Sequence, residues 1–191
     1  MAIRASMQDI IVRTRELTGD PAGPNARFSD DVYQEVLDRD ARTDYILGDY
    51  RALTGRYTLP GSPPSYAWTD YFDPSGWGDW ETDATLYNGS MTLLTPLTSD
   101  YLVGHWTFAN QPPPVYLMGK TYDVYGAARA IVLRWIGLEA TSFDFSAMRG
   151  TSFTVSQKRE GLQMLADQLA TEMRVRTAKL VRRDVNGAFT Y

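Results

Sequence analysis

The chain of 191 residues has no cysteine and only one histidine, His105. The first absence excludes a disulfide framework and a thiolate metal site. The second excludes any site that needs two imidazoles. No G-x-S-x-G surrounds a serine, no G-x-G-x-x-G occurs, and no complete Walker-type loop is present. A hydrolase elbow and a nucleotide cradle therefore have no signal. Long apolar runs are missing too. The best stretch, near Ile131, is broken by Arg134 and falls far short of the roughly 20 residues that span a bilayer. Met1 to Val12 carries Arg4, Gln8 and Asp9, so no secretory signal is expected.

Basic residues are missing from one long interval. Residues 57–119 hold no Lys or Arg and six acids: Asp70, Asp73, Asp79, Glu81, Asp83 and Asp100. The same interval holds Trp68, Trp77, Trp80 and Trp106, and eight of the ten prolines. Trp, Tyr and Thr favour strands, while Pro and Gly punctuate them. The interval is thus predicted to be a β-rich insertion between helical segments, because a structureless loop of that length is improbable in a compact domain. The opposite imbalance closes the chain: residues 149–191 carry 8 basic and 4 acidic side chains. The net charge of −4 argues against a dedicated nucleic-acid binder. A hydrophobic share of 43% and a charged share of 22% are ordinary for a soluble, cytosol-compatible globular protein.

The flanks read as helix. Met7, Ile10, Ile11 and Leu17 share a face over Ser6–Thr18, with Gly19 as the stop. Gly19-Asp20-Pro21-Ala22-Gly23-Pro24-Asn25 is a turn-rich loop. Ser29 is placed to cap a second helix, with Asp30 and Asp31 in the first turn and Phe28 and Tyr33 as a hydrophobic staple. Tyr33, Val36, Leu37 and Ala41 continue its apolar stripe, opposite Glu35, Asp38, Arg39, Asp40 and Arg42. A third helix over Tyr122–Leu138 is apolar enough to be central. Thr154 and Gln157 form a capping box for a fourth, with Leu162, Leu165, Ala166, Leu169 and Met173 at helical spacing.

Within the insertion, Asn88-Gly89 between 84–87 and 90–93 predicts a hairpin with positive φ at both turn positions. Residues 66–72, 101–108 and 115–118 are further strand candidates, and Pro112-Pro113-Pro114 must be extended. The expected fold is therefore α+β. About four helices (1–56 and 120–173) form a small bundle, a β-rich insertion (57–119) lies between helices 2 and 3, and residues 174–191 form an extended basic C-terminal arm.

Four constellations carry possible chemistry or binding. Asp79, Glu81 and Asp83 alternate, so in a strand they share one face. They read as a solvated face beside an inward Trp80, or as carboxylates for a divalent cation or a glycosidase acid–base pair. His105 reads as a satisfied or exposed strand histidine, or as a nucleophile's base, which would need an ordered serine and a carboxylate that the sequence does not signal. The tryptophans read as core or interface, or as stacking platforms of a carbohydrate-binding or adhesion module. At the C-terminus, Arg174 to Asn186 carries five positive charges and one negative. It reads as a solvated tail or as an arm that docks on an acidic partner or a sheet edge.

Several blocks, in order, resemble the head–tail connector (adaptor) proteins of tailed bacteriophages and prophages. They are Gln8-Asp9-Ile10-Ile11-Val12-Arg13, Gly19-Asp20-Pro21 and Arg27-Phe28-Ser29-Asp30-Asp31, followed by Val115 to Ala128. Phe143-Asp144-Phe145-Ser146, Gly150-Thr151-Ser152-Phe153, Ser156-Gln157-Lys158 and Val181-Arg182-Arg183-Asp184-Val185 complete the set. The resemblance implies a non-enzymatic virion protein without cofactor or metal, made in the bacterial cytoplasm. It would form a ring, usually twelve-fold, that docks under the portal protein, extends the DNA channel without binding DNA specifically, and receives the stopper or tail-completion protein. No membrane is implied. With the tail's charge, it marks Arg174, Arg176, Lys179, Leu180, Val181, Arg182, Arg183 and Val185 as a candidate portal-docking arm. Glu35, Asp38, Arg39 and Arg42 are candidate inter-subunit contacts.

Overall fold

A computed structural model describes residues 3–48, 50–58, 67–140, 145–146, 152–153 and 155–174. Ala5–Met7 make one 3-10 turn that runs into α1 (Gln8–Thr18). Gly19 ends it with φ 66°, the left-handed stop that glycine adopts without strain. Asp20 then organises the loop: its carboxylate accepts from the backbone N–H of Arg27 at 2.6 Å and of Phe28 at 3.1 Å. Arg15, itself buried, spans the loop by donating to Asp20, to the Phe28 carbonyl at 2.6 Å and to Asp30 at 2.7 Å. The Gly-Asp-Pro block and the Arg27–Asp31 block are thus halves of one knot.

From Ser29, in extended conformation, the chain enters α2 (Asp30–Val36), then a π turn over Leu37–Ala41. The expected continuous second helix stops there. Arg42–Tyr45 is already a strand, β1, so β structure begins before residue 57. Its side chains are mostly exposed, which removed the apolar alternation that marks a half-buried strand.

Strands β2 (Arg51–Ala52), β3 (Thr54–Thr58), β4 (Ala67–Phe72), β5 (Thr85–Asn88), β6 (Leu93–Leu94), β7 (Thr98–Asp100), β8 (His105–Thr107) and β9 (Val115–Tyr122) follow. They build two antiparallel sheets. One runs β1-β9-β5-β6, with β2 also paired to β9; the other runs β3-β4-β8-β7. β9 is the spine of the first sheet, with Arg42 opposite Tyr122, Arg51 opposite Leu117, and Leu86 of β5 opposite Leu117. The hairpin at Asn88 forms, but by a different turn: Asn88 Oδ1 accepts from the Ser90 and Thr92 N–H groups, and Met91 takes φ 59°. Among the described residues, Gly89 has no positive φ.

Helix α3 (Val124–Glu139) follows β9 directly, capped by Asp123, whose carboxylate accepts from Gly126 N–H at 3.0 Å. A short hairpin, β10 (Phe145–Ser146) with β11 (Ser152–Phe153), precedes α4 (Val155–Glu172). The expected Thr154 cap lies outside the described residues.

Three apolar clusters hold the layers. Met7, Ile10, Ile11, Tyr33, Leu37, Tyr122 and Ile131 join α1, α2 and α3 to the end of β9. Tyr71, Trp80, Leu86, Trp106, Val115 and Leu117 fill the space between the sheets. Ala128, Val132, Ala166 and Leu169 close α3 on α4, where small residues allow near approach. Trp80 and Trp106 are core residues, 1% and 0% exposed. Burial of an aromatic of this size contributes roughly 2–3 kcal/mol.

Candidate functional site

Residues 73–83 leave β4 and run beneath the helices to β5. Gly78 and Asp79 both take positive φ, 58° and 54°, so the peptide reverses twice and no strand forms there. A Cβ on Gly78 would lie 2.0 Å from the Leu102 carbonyl oxygen; only glycine fits. The expected solvated strand face is therefore corrected. Asp79 and Glu81 are buried, at 2% and 0% exposure, and Asp83 faces outward, 3.7 Å from Lys120.

Each buried carboxylate of this segment meets a cation from a flank. Asp73 Oδ1 is 2.9 Å from Arg51 Nε, and its other oxygen accepts from the Trp80 indole N–H at 3.1 Å. Asp79 Oδ1 is 2.6 Å from Arg13 Nη1 of α1, and Oδ2 is 3.3 Å from Arg174 Nη2 at the end of α4. Glu81 accepts from Ser6 at 2.6 Å, Arg4 at 2.9 Å and Tyr122 at 2.9 Å, with Lys120 at 3.2 Å. Arg4 also grips both oxygens of Asp38, at 2.6 and 2.8 Å. Three of the six acids of that interval, Asp73, Asp79 and Glu81, thus form a buried seam that ties its chain segment to both flanks, while Asp83 and Asp100 stay exposed.

The electrostatics differ along the seam. Burial opposes ionisation of Glu81 and Asp73, but hydrogen bonds from Ser6 and Arg4, and from Ser75 and Arg51, outweigh it. Both carboxyls lie below their ordinary values. At Asp79 burial wins over Arg13 and Arg174, and the carboxyl is pushed up to about 6. Burial drives Arg174 down and, aided by Glu81, drives Tyr122 up.

Arg174 is the only residue of the expected arm among those described, and it is engaged within the chain. Its side chain is 10% exposed. Nη1 donates to Thr121 Oγ1 at 2.9 Å, and Nη2 to the carbonyls of Gly78 at 3.0 Å and Trp77 at 3.3 Å. The guanidinium lies 5.2 Å from the centroid of the Trp77 ring, and its backbone N–H donates to Asp123 at 3.2 Å. Arg176, Lys179, Leu180, Val181, Arg182, Arg183 and Val185 lie outside the described residues.

The four candidate ring contacts also have partners in their own chain. Asp38 is held by Arg4; Arg39 pairs with Asp40 at 2.7 Å and Glu35 at 3.4 Å; Arg42 pairs with Asp44 at 2.7 Å. Glu35 and Arg39 stay exposed and open to a second contact.

His105 sits 3.3 Å from Asp70 and stacks on Phe72 at 4.3 Å between centroids. A Walker-type Gly-Lys-Thr was not expected, yet Gly119-Lys120-Thr121 is one; it lies inside β9 and not between a strand and a helix, so it forms no phosphate cradle. Among the described residues no group of three or more His, Asp or Glu side chains is arranged to hold a metal ion. None of the described helices is long and apolar enough to cross a membrane. Sequence reasoning missed Arg4, Arg13 and Arg51 as partners. The available signal was charge imbalance: an interval with six acids and no Lys or Arg must draw the cationic partner of any acid it buries from elsewhere.

These features define an α+β protein with four helices and two antiparallel sheets between the second and third, tied together by a buried ionic seam. Comparison of the chain with protein-family models, with curated proteins and with solved structures finds no match.

Proposed function

We propose that the chain is a head–tail adaptor of a tailed bacteriophage or prophage, a non-enzymatic virion protein. It is made in the bacterial cytoplasm and assembles as a ring, taken as twelve-fold from the family resemblance. The ring docks under the portal protein, extends the DNA channel without gripping DNA, and receives the stopper or tail-completion protein. One observation carries the reading. The sequence blocks that resemble such adaptors stand in one order along the chain, and two of them, Gly19-Asp20-Pro21 and Arg27–Asp31, close on each other in the fold. The Gly19-Asp20 and Arg27–Asp31 blocks knot around Arg15, and α1 presents Arg13 to Asp79. The Val115–Ala128 block supplies Thr121 and Asp123, and Arg174 roots the C-terminal segment on both. A fixed root suits an arm that must meet its partner in a set direction, because less freedom is lost on docking.

The carbohydrate-module reading has less support. Trp80 and Trp106 are buried and present no face to a sugar. Trp77 is half exposed, with Arg174 over its ring.

The test is assembly. Particles made without this chain should lose DNA and fail to join tails; particles that retain DNA and join tails normally overturn the proposal. A pull-down from an induced lysate then compares the full chain with one ending at Val175, which keeps Arg174. Portal protein captured by the full chain alone supports the arm; equal capture by both assigns docking to the body.

A further inference from the structure

The surroundings of Arg174 are built more fully than an ion pair requires. Two carboxylates, Asp79 and Asp123, are each nearly removed from water, at 2% and 3% exposure. Two successive backbone carbonyls, of Trp77 and Gly78, accept from Nη2, and a hydroxyl, Thr121 Oγ1, accepts from Nη1. The Trp77 ring lies against the guanidinium face. Thr121 donates its own proton to the Gly78 carbonyl at 2.7 Å, which leaves its lone pairs to Arg174. The double reversal at Gly78-Asp79 creates this surface, and Gly78 tolerates no side chain. A planar fork with donors on separate nitrogens satisfies these acceptors together; a lysine ammonium is one point of charge and does not reach all of them.

The geometry points to an arginine seat: a built binding site for an alkylguanidinium, filled by Arg174 of the same chain or by the Arg174 of a second copy. The chemistry is the same from either source. Arg174 follows the end of α4 at Glu172 and reaches the seat from there, and the Arg174 of a second copy presents the same guanidinium. The seat stands without the adaptor reading; only the second-copy source rests on the proposed ring.

The experiment uses full-length Arg174→Ala, which empties the seat, and methylguanidinium as the probe at millimolar concentration, far below denaturing levels. A ligand that binds the folded state raises its melting temperature by mass action. Methylguanidinium should raise the Tm of Arg174→Ala saturably, methylammonium should not, and the response should vanish when Asp79→Asn is added. An equal response to both cations, or none to either, overturns the seat. If Arg174→Ala does not fold alone, Arg174→Lys carries the test: it keeps the charge but not the fork. Its Tm should fall below that of the native chain, and a native Tm overturns the proposal.

Mixing full-length Arg174→Ala (seat intact) with full-length Asp79→Asn (arginine intact) separates the sources. Mixed species in native mass spectrometry, absent from either variant alone, assign the second copy. Rescue by methylguanidinium without mixed species assigns the chain's own Arg174.

Discussion

Arg4 Nε lies 2.9 Å from Glu81 Oε1 across 77 residues of sequence, and Glu81 has no exposure to solvent. The same guanidinium holds Asp38 at the end of the second helix. One side chain thus fastens the N-terminus, α2 and the segment between the sheets. Removing one partner of a buried pair leaves an uncompensated charge, at a cost of roughly 3–5 kcal/mol. Glu81→Ala should fall in that range, and Arg4→Ala somewhat lower because Arg4 is one-third exposed. The double variant should cost clearly less than the sum. Urea denaturation of the four proteins measures this, and simple additivity would contradict the coupling.

Gly78→Ala tests the double reversal. The added methyl meets the Leu102 carbonyl and the residue must hold φ 58°. Steric overlap and left-handed strain act together, so a loss of at least about 2 kcal/mol is expected. Gly76→Ala provides the contrast: it also has positive φ (68°) but open space around the Cβ position, so it should cost less. The order of the two melting temperatures decides the point.

Asp79 gives the fold a pH dependence of unusual sign. Its carboxyl is raised from 3.8 to about 6. Its contribution to stability is full below the unfolded value and is lost as pH rises through 6. Arg13 from α1, Arg174 from α4 and Asp123 at the cap of α3 face it, and Asp73 and Tyr45 act on Arg174. Glu81 and Asp73, held low, act oppositely: their contribution is present above the ordinary carboxylate value and lost on acidification. The native chain should therefore lose stability from pH 5 to pH 7 relative to Asp79→Asn, measured by chemical denaturation at each pH. Parallel curves for the two proteins would remove Asp79 as the cause.

The helices were legible because their information is local. The stripe of Ile10 and Ile11, the glycine stop at Gly19 and the run from Val124 to Ile136 follow from neighbours three or four residues away. The seam was not. Asp79 and Glu81 alternate like an exposed strand face, and the cations that bury them, Arg13 and Arg4, stand 66 and 77 residues away. Local patterning carries no trace of such a partner, although the charge-poor interval carries a global one. β1 was missed for a related reason: an edge strand with exposed side chains has no apolar period to read. The Asn88 hairpin was legible in position but not in turn type, because its side chain closes the loop in place of a left-handed Asn-Gly pair.

The ring reading makes a demand on the surface. A chain that packs laterally on copies of itself needs apolar area outside its own core. Between β1 and β2, Ile46 and Leu47 are 65% and 73% exposed, while Tyr50 at the loop's far side packs on Tyr116 with ring centroids 4.2 Å apart. The loop is anchored, and its aliphatic tip is offered to solvent. Replacing both tip residues, Ile46→Glu with Leu47→Glu, removes no buried contact, so the stability of the isolated chain should change by less than about 0.5 kcal/mol. On the ring proposal assembly should suffer: if the native chain sediments as a ring, the double variant should run as a slower species at the same concentration. A double variant that assembles like the native chain would exclude this loop from the subunit contact and shift attention to Glu35 and Arg39. These two candidate contacts remain exposed despite their internal pairing.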